Sequence, residues 1–341
     1  NKMESQMKRI GLLIIFLFAI NISFSQSKVC TSAASFLGIS IGPKAIGMGS
    51  AFVALANDAT ALYWNPSGIS RSMKSQFIAS HTNWLVGTSF NWVGLTVNLD
   101  NINSIGISFT QLDYGEDDVT TVLSPEGTGE RWDAMDMVIG LSYARNLTDR
   151  FSIGGTVKYI SQQIWNETAS AFALDIGLLY ITEFNDLKIG MSISNFGTDM
   201  QMKGKDLIKR IDLDPESNGI NKTIPSELKT DTWPLPLFFR VGISMDVVKF
   251  NDIVVTTAID AFRPSDNNSS LNVGMEVSWN EMFFVRAGYK NLFLDKSEEG
   301  LNFGGGLKYN FMETSFVHFD YAFTSFGKFD NLHSFSLGVI F

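Results

Sequence analysis

Met135-Asp136-Met137-Val138-Ile139-Gly140-Leu141-Ser142-Tyr143-Ala144 is the stretch that decides the fold. Met135, Met137, Ile139, Leu141 and Tyr143 are apolar and alternate with Asp136, Gly140, Ser142 and Ala144, the period of a strand with one greasy face. About ten such residues, tilted, cross a bilayer. The pattern recurs on both sides. Ile105, Ile107 and Phe109 alternate with Gly106, Ser108 and Thr110. Phe151, Ile153, Val157 and Tyr159 alternate with Ser152, Gly154, Thr156 and Lys158. Further on, Leu237, Phe239, Val241, Ile243 and Met245 oppose Arg240, Gly242, Ser244 and Asp246, and Leu271, Val273, Met275 and Val277 oppose Asn272, Gly274, Glu276 and Ser278.

Extending this reading predicts strands over 75–84, 89–99, 102–112, 133–146, 150–163, 171–182 and 187–196. A second half follows over 237–248, 252–262, 270–279, 282–290, 301–310, 314–324 and 333–341. An even number, about 14, suits a closed antiparallel transmembrane β-barrel with both ends on the periplasmic side. Connections alternate between tight turns (Asp100–Asn101, Asn280–Glu281) and longer stretches (113–132, 197–236), as short periplasmic turns and long outer loops require. All eight prolines fall outside the predicted spans, as expected of residues that cannot donate to a ladder. Phe341 ends a strand whose other outward residues are Val339, Leu337 and Phe335, which resembles the terminal signal read by the barrel assembly machinery. Trp84, Trp132, Trp165 and Trp233 fall near predicted outer strand ends, where an aromatic girdle belongs.

Composition agrees. Of 341 residues 45% are hydrophobic and 18% charged, yet past the N-terminus no apolar run approaches the roughly 18 residues of a membrane helix. The 28 Phe suit a lipid-facing surface and the 29 Gly relieve crowding on an inner wall. A net charge of −9 argues against nucleic acid as partner. A single cysteine, Cys30, excludes an internal disulfide and reads as a free thiol. Lys8, Arg9 and the apolar run Ile10 to Ile22 read as a secretory signal peptide over 1–25, with Ser23 and Ser25 before the cleavage point. Residues 26–341 are then one outer-membrane barrel domain, with a plug-like segment over 26–74 and the barrel over 75–341.

Within the plug, the stretch from Gly42 to Ala56 is small and apolar with no strand alternation. Asn57-Asp58 offers a cap for a short helix, Ala59 to Trp64, ended by Asn65-Pro66. Gly47 and Gly49 do not make a dinucleotide fingerprint, because no strand precedes them and a third glycine is missing. The inward positions carry Arg240, Asp260, Glu276, Arg286, Lys308 and Asp320. A charge facing lipid at mid-bilayer costs about 2–4 kcal/mol, so these point into the lumen, either closing it with ion pairs or lining a polar path. Catalysis has little to work with: the histidines are His81, His318 and His333, and although His318 and Asp320 share an inner strand face, no serine is tied to them by a motif. No cofactor or metal site is indicated. The acidic groups 113–118 and 212–216 match no calcium-loop spacing. Within the loop 197–236, Gly204 to Ile211 reads as a helix-like run.

The stretch Gly47-Met48-Gly49-Ser50-Ala51-Phe52-Val53-Ala54-Leu55-Ala56-Asn57-Asp58-Ala59-Thr60-Ala61-Leu62-Tyr63-Trp64-Asn65-Pro66-Ser67-Gly68 resembles the N-terminal signature of PorV/PorQ-type outer-membrane barrels. These are distant relatives of FadL-like transporters, which also carry an Asn-Pro-containing hatch. Trp233-Pro234-Leu235-Pro236, Phe239-Arg240-Val241-Gly242, Asp320-Tyr321-Ala322-Phe323 and Phe326-Gly327 extend the resemblance over most of the mature chain. It implies a 14-stranded barrel in the bacterial outer membrane and a plug carried by Gly47, Gly49, Asp58, Asn65 and Pro66. It also implies one of two roles: association with type IX protein secretion, with secretion components or cargo proteins as partners, or porin-like passage of a hydrophobic ligand.

Overall fold

The structure is a computed structural model that describes residues 31–211, 224–295, 297–312 and 314–341. The expected signal peptide and Cys30 lie outside the described residues. Fourteen strands form the wall. The first seven are β1 Gln76–Asn83, β2 Ser89–Asn98, β3 Asn103–Asp118, β4 Arg131–Asn146, β5 Phe151–Ile164, β6 Glu167–Ile181 and β7 Lys188–Gly197. The others are β8 Phe238–Phe250, β9 Ile253–Pro264, β10 Ser270–Trp279, β11 Phe283–Leu292, β12 Leu301–Met312, β13 Ser315–Thr324 and β14 Leu332–Ile340. Each pairs antiparallel with its sequence neighbour, and β1 closes on β14 from Gln76↔Ile340 to Asn83↔His333. Closure leaves no free edge, so every wall amide can be paired inside the bilayer.

The end bearing Ser75, Phe341 and the tight turns is the periplasmic one. Its turns are built by residues that tolerate left-handed backbone. Asn185 and Asp186 (φ 47° and 52°) and Asn280 and Glu281 (φ 54° and 51°) place two such residues in succession, the twist that matches a tight hairpin. In the β2–β3 turn, Asp100 accepts from the backbone of Ile102 (3.1 Å) and Asn103 (2.6 Å), which holds its carboxyl below the ordinary range.

Three expectations need correction. The run Gly204 to Ile211 is not helical: after one 3-10 turn, Lys205–Leu207, residues Ile208–Ile211 pair with Ile224–Glu227 as a hairpin. β-Branched Ile208 and Ile211 favour strand, and the partner strand supplies hydrogen bonds no local cap offered. Proline does enter two strands, Pro264 as the last residue of β9 and Pro225 in that hairpin, both at places where a missing donor costs little. Trp132, Trp165 and Trp233 are exposed at the outer end, but Trp84 turns over the barrel mouth, its ring 5.9 Å from Phe326 and 6.4 Å from Phe90.

Inside the wall lies the segment 31–74, with α1 Pro43–Gly47, α2 Ala61–Trp64 and the 3-10 turns Ser35–Gly38 and Pro66–Arg71. The helix expected from Ala59 begins at Ala61, because Asp58 Oδ1 takes the Thr60 amide (2.8 Å) and hydroxyl (2.5 Å) into a turn first. Two apolar clusters join plug to wall. Phe36, Leu37, Ile41 and Leu62 pack with Trp92, Ile160 and Phe238, and Met48, Phe52 and Trp64 pack with Ala258. The interior is a core rather than a water-filled channel.

Candidate functional site: the plug and the lumen

The plug is joined to the wall by backbone groups as well as by side chains. Asn65, fully buried, uses its whole amide: Nδ2 donates to Val53 O (2.8 Å) and to Leu178 O of β6 (3.0 Å), while Oδ1 accepts from Ser67 N (3.3 Å) and Ser67 Oγ (2.7 Å). Pro66 opens the following 3-10 turn, where its missing N–H costs nothing. This close seating needs glycine on the wall. A methyl group at Gly177 would lie 2.1 Å from Asn65 Oδ1, and one at Gly154 would lie 2.5 Å from the Pro66 carbonyl carbon.

Gly47 and Gly49 play the same part on the opposite wall. A methyl group on Gly47 would meet the Gly304 Cα at 3.0 Å, and one on Gly49 would meet the Tyr289 amide at 2.5 Å. Gly49 also has φ +62°, so a side chain there meets strain and collision together. Gly274 and Gly288 face Met48 and Gly49 in return. Asp58 lies at the periplasmic side, 3.7 Å from Lys44 Nζ, which also donates to Asn57 (2.8 Å).

The six lumen charges separate into four settings. Asp260 of β9, 1% exposed, accepts from the plug amides of Phe52 (2.7 Å) and Val53 (2.8 Å) through Oδ2. Arg240 of β8 is buried among four rings, Tyr63, Trp64, Phe238 and Phe262, with its guanidinium carbon 4.9–5.3 Å from their centroids. Nη2 donates to Tyr63 Oη at 3.3 Å. Such rings present negative faces to a desolvated cation. Burial lifts the Tyr63 hydroxyl above the ordinary phenol value, and the Arg240 charge partly offsets this.

Glu276, Arg286 and Asp320 meet as one buried triad: Arg286 Nε lies 2.5 Å from Glu276 Oε2, and Nη1 lies 2.6 Å from Asp320 Oδ1. His318 Nδ1 adds a contact of 2.9 Å to Asp320 Oδ2, and its ring lies against Gly338, where a methyl group would be 2.0 Å from Nε2. Lys308 stands apart. It is half-exposed at the periplasmic mouth, over the Phe316 ring (4.6 Å) and 3.8 Å from Glu281.

Sequence reasoning passed over a second buried cluster. Lys158 of β5 lies 2.8 Å from Asp175 of β6 and also donates to Asn195 Oδ1. Asn195 (φ 67°) sits at a bulge in the β6–β7 ladder, donates its amide to Asp175 (2.8 Å) and reaches Pro236 O in the long loop (2.9 Å). Inward parity of Lys158 and Asp175 was the available signal, but the bulge and the returning loop are tertiary. Near the outer mouth, Lys290 pairs with Glu299 at 2.7 Å. On the β3–β4 hairpin, Arg131 meets Glu116 (2.9 Å) and Asp118 (3.5 Å) at the exposed surface. The acidic group 212–216 lies outside the described residues.

A cavity of about 290 Å³ opens at the outer mouth between Ile39, Trp84, Phe238, Phe262, Leu294 and Phe326. Another, of about 260 Å³, lies at the periplasmic side between Lys44, Asp58, Arg286, Lys308, His318 and Asp320. The packed plug separates them.

A closed fourteen-strand barrel with an N-terminal plug packed against its inner wall is an outer-membrane protein. It is similar in fold to a channel described as the CymD monoaromatic hydrocarbon channel, with TM-score 0.57 and 13% identity over 88% of this chain and 97% of that one. It is likewise similar to the Pseudomonas putida toluene transporter TodX, with TM-score 0.54 and 13% identity over the same shares. Sequence then supplies the family: residues 22–206 match the family described as type IX secretion system protein PorV, and the chain belongs to that family. Among curated proteins none matches.

Proposed function

We propose that this type IX secretion barrel works through its surfaces, as a docking component for secretion partners or exported cargo, with a lumen that stays shut. One observation carries the reading: the plug is fixed to the wall by buried hydrogen bonds at Asn65 and Asp260 and by glycine-to-backbone contacts at Gly154, Gly177, Gly274 and Gly288. Opening a path would expose these groups unpaired, at about 1–3 kcal/mol each. The outer side, by contrast, is elaborated. β3 to β6 are the long strands of the wall, and the hairpin Ile208–Ile211 with Ile224–Glu227 projects Ile208, Ile211 and Ile224 into solvent. His318 is held by Asp320 through Nδ1 (2.9 Å) beside the Arg286 triad, a structural setting that supports a role without catalysis. Phe341 at the end of the last strand supports handling by the barrel assembly machinery, and residues 1–25 support export as a cleaved leader.

The rival reading, passage of a hydrophobic small molecule, is favoured by the mouth cavity, where Trp84, Phe238 and Phe262 form an apolar side facing the polar Asp266, Lys290 and Glu299. Purification from native membranes, with identification of bound proteins and lipids, decides between them. Secretion components or exported proteins at near-equal stoichiometry support the docking role. Recovery of hydrophobic ligands alone refutes it.

A further inference from the structure

The cavity at the outer mouth has two sides of opposite character. On one stand the rings of Trp84, Phe238, Phe262 and Phe326. Trp84 and Phe326 meet at 77°, and Phe238 and Phe262 at 63°, edge-to-face arrangements that leave ring faces uncovered. On the other stand Asp266, Asn268, Ser270, Lys290, Asn291 and Glu299. This polar side is held from behind. Glu299 takes Lys290 (2.7 Å) through Oε1 and the Asn291 amide (2.9 Å) through Oε2, while Ser270 donates to Asn291 Oδ1 (3.1 Å). Asp266 Oδ2 accepts from Ser32 of the N-terminal segment (2.5 Å). Among the described residues, Asp266 Oδ1 and the side-chain amide of Asn268 make no hydrogen bond, and both residues line the cavity.

Charge narrows the ligand. Lys290 is matched by Glu299, and Arg240 lies on the Phe238 and Phe262 rings, 5.1 and 4.9 Å from their centroids. A cationic ligand would meet a guanidinium already on those rings, and an anionic one would meet Asp266 and Glu299. A hydrocarbon would fill the aromatic side but strip water from an ion pair and two unpaired groups without replacing the bonds.

A neutral molecule with one C–H face and a rim of hydroxyl groups satisfies both sides. A pyranose sugar has that form: its C–H face lies on aromatic rings, and its hydroxyls both donate to carboxylate and amide oxygens and accept from amide and ammonium groups. The volume of about 290 Å³ is at the lower end for small-ligand pockets, and suits one or two sugar rings better than a long chain. The packed plug closes the floor, so a ligand is held at the mouth. We propose that the outer mouth is a binding site for a neutral pyranose, taken as a free sugar or as the end of a cell-surface glycan. The site stands independently of the docking role.

The test is saturation-transfer NMR on the full chain, extracted in a detergent without a sugar headgroup. The probes are methyl glucoside, methyl mannoside, methyl galactoside and N-acetylglucosamine. The expected result is transfer to the ring C–H protons of at least one probe. Trp84→Leu keeps an apolar side chain but no ring face, and should weaken that sugar by about tenfold while heat-modifiable gel mobility is kept. Asp266→Ala removes an acceptor from the opposite side and should weaken it by about fivefold. Lipid-free surface polysaccharide from the same cells separates the two sources: binding at least about tenfold tighter than the monosaccharide marks a surface glycan, and equal binding marks a free sugar. Absence of transfer to every probe and to the polysaccharide overturns the proposal, as does a sugar signal unchanged in both variants. Toluene bound equally by the parent and Trp84→Leu, with no sugar bound, assigns the cavity to hydrocarbons instead.

Discussion

Replacing Asn65 with alanine removes two buried donors and one acceptor that serves two groups, all without exposure to solvent. Val53 O and Leu178 O lose a donor, and Ser67 N and Oγ lose their acceptor. The Leu178 carbonyl lies on a wall strand within the ladder, and the Ser67 hydroxyl can rotate, so about two full losses remain. At about 1–3 kcal/mol for each orphaned group, the cost is about 4 kcal/mol. Asn65→Asp is expected to be no milder, since it keeps the acceptor but points a carboxylate at two carbonyls. The assay is denaturant unfolding of the detergent-extracted protein, followed by barrel heat-modifiability, together with limited proteolysis of the plug. The expected pattern is early protease cleavage within residues 31–74 at denaturant concentrations where the wall stays intact. An Asn65→Ala protein within about 1 kcal/mol of the parent, with an equally resistant plug, would show that the amide does not hold plug to wall.

The remaining expectations follow from the same geometry. Gly177→Val should block plug seating, because the added carbons meet Asn65 Oδ1 and Pro66, and should appear as a folded wall with a protease-sensitive N-terminal segment. Asp260→Leu leaves the Phe52 and Val53 amides without acceptors and should destabilise by about 2–5 kcal/mol, whereas Asp260→Asn, which keeps an acceptor oxygen, should recover more than half of that loss in the same unfolding assay. Arg286→Met strands Glu276 and Asp320 and should cost about 3–5 kcal/mol, largely restored when Glu276→Gln and Asp320→Asn are added. In planar bilayers the parent should show no conductance steps, while deletion of residues 31–74 should produce them. Steps of equal size from both proteins would mean the lumen is open already.

Much of this protein was written in its sequence. Alternation at Met135–Tyr143 and its repeats fixes strand, face and approximate length, because a side chain two residues on returns to the same surface and lipid admits only one kind. Parity therefore also put Arg240, Asp260, Glu276, Arg286 and Asp320 inside. Partnership was another matter. That Arg286 joins Glu276 and Asp320 while Arg240 takes four aromatic rings depends on which strands adjoin and how far each is shifted. Lys308 has the same parity yet ends at the mouth, since depth is set by register. The long loop misled for a related reason: Ile208–Ile211 had helical spacing within itself, and only the returning Ile224–Glu227 made it a strand. The plug shows the division most clearly. Its small residues marked it as unlike the wall, but the reason Gly49 and Asn65 stand where they do is the backbone of Tyr289 and the Gly177 position, far away in the chain. Local periodicity selects a conformation, whereas contact between distant segments is decided by closure of the barrel, which sets every strand's height and neighbour at once.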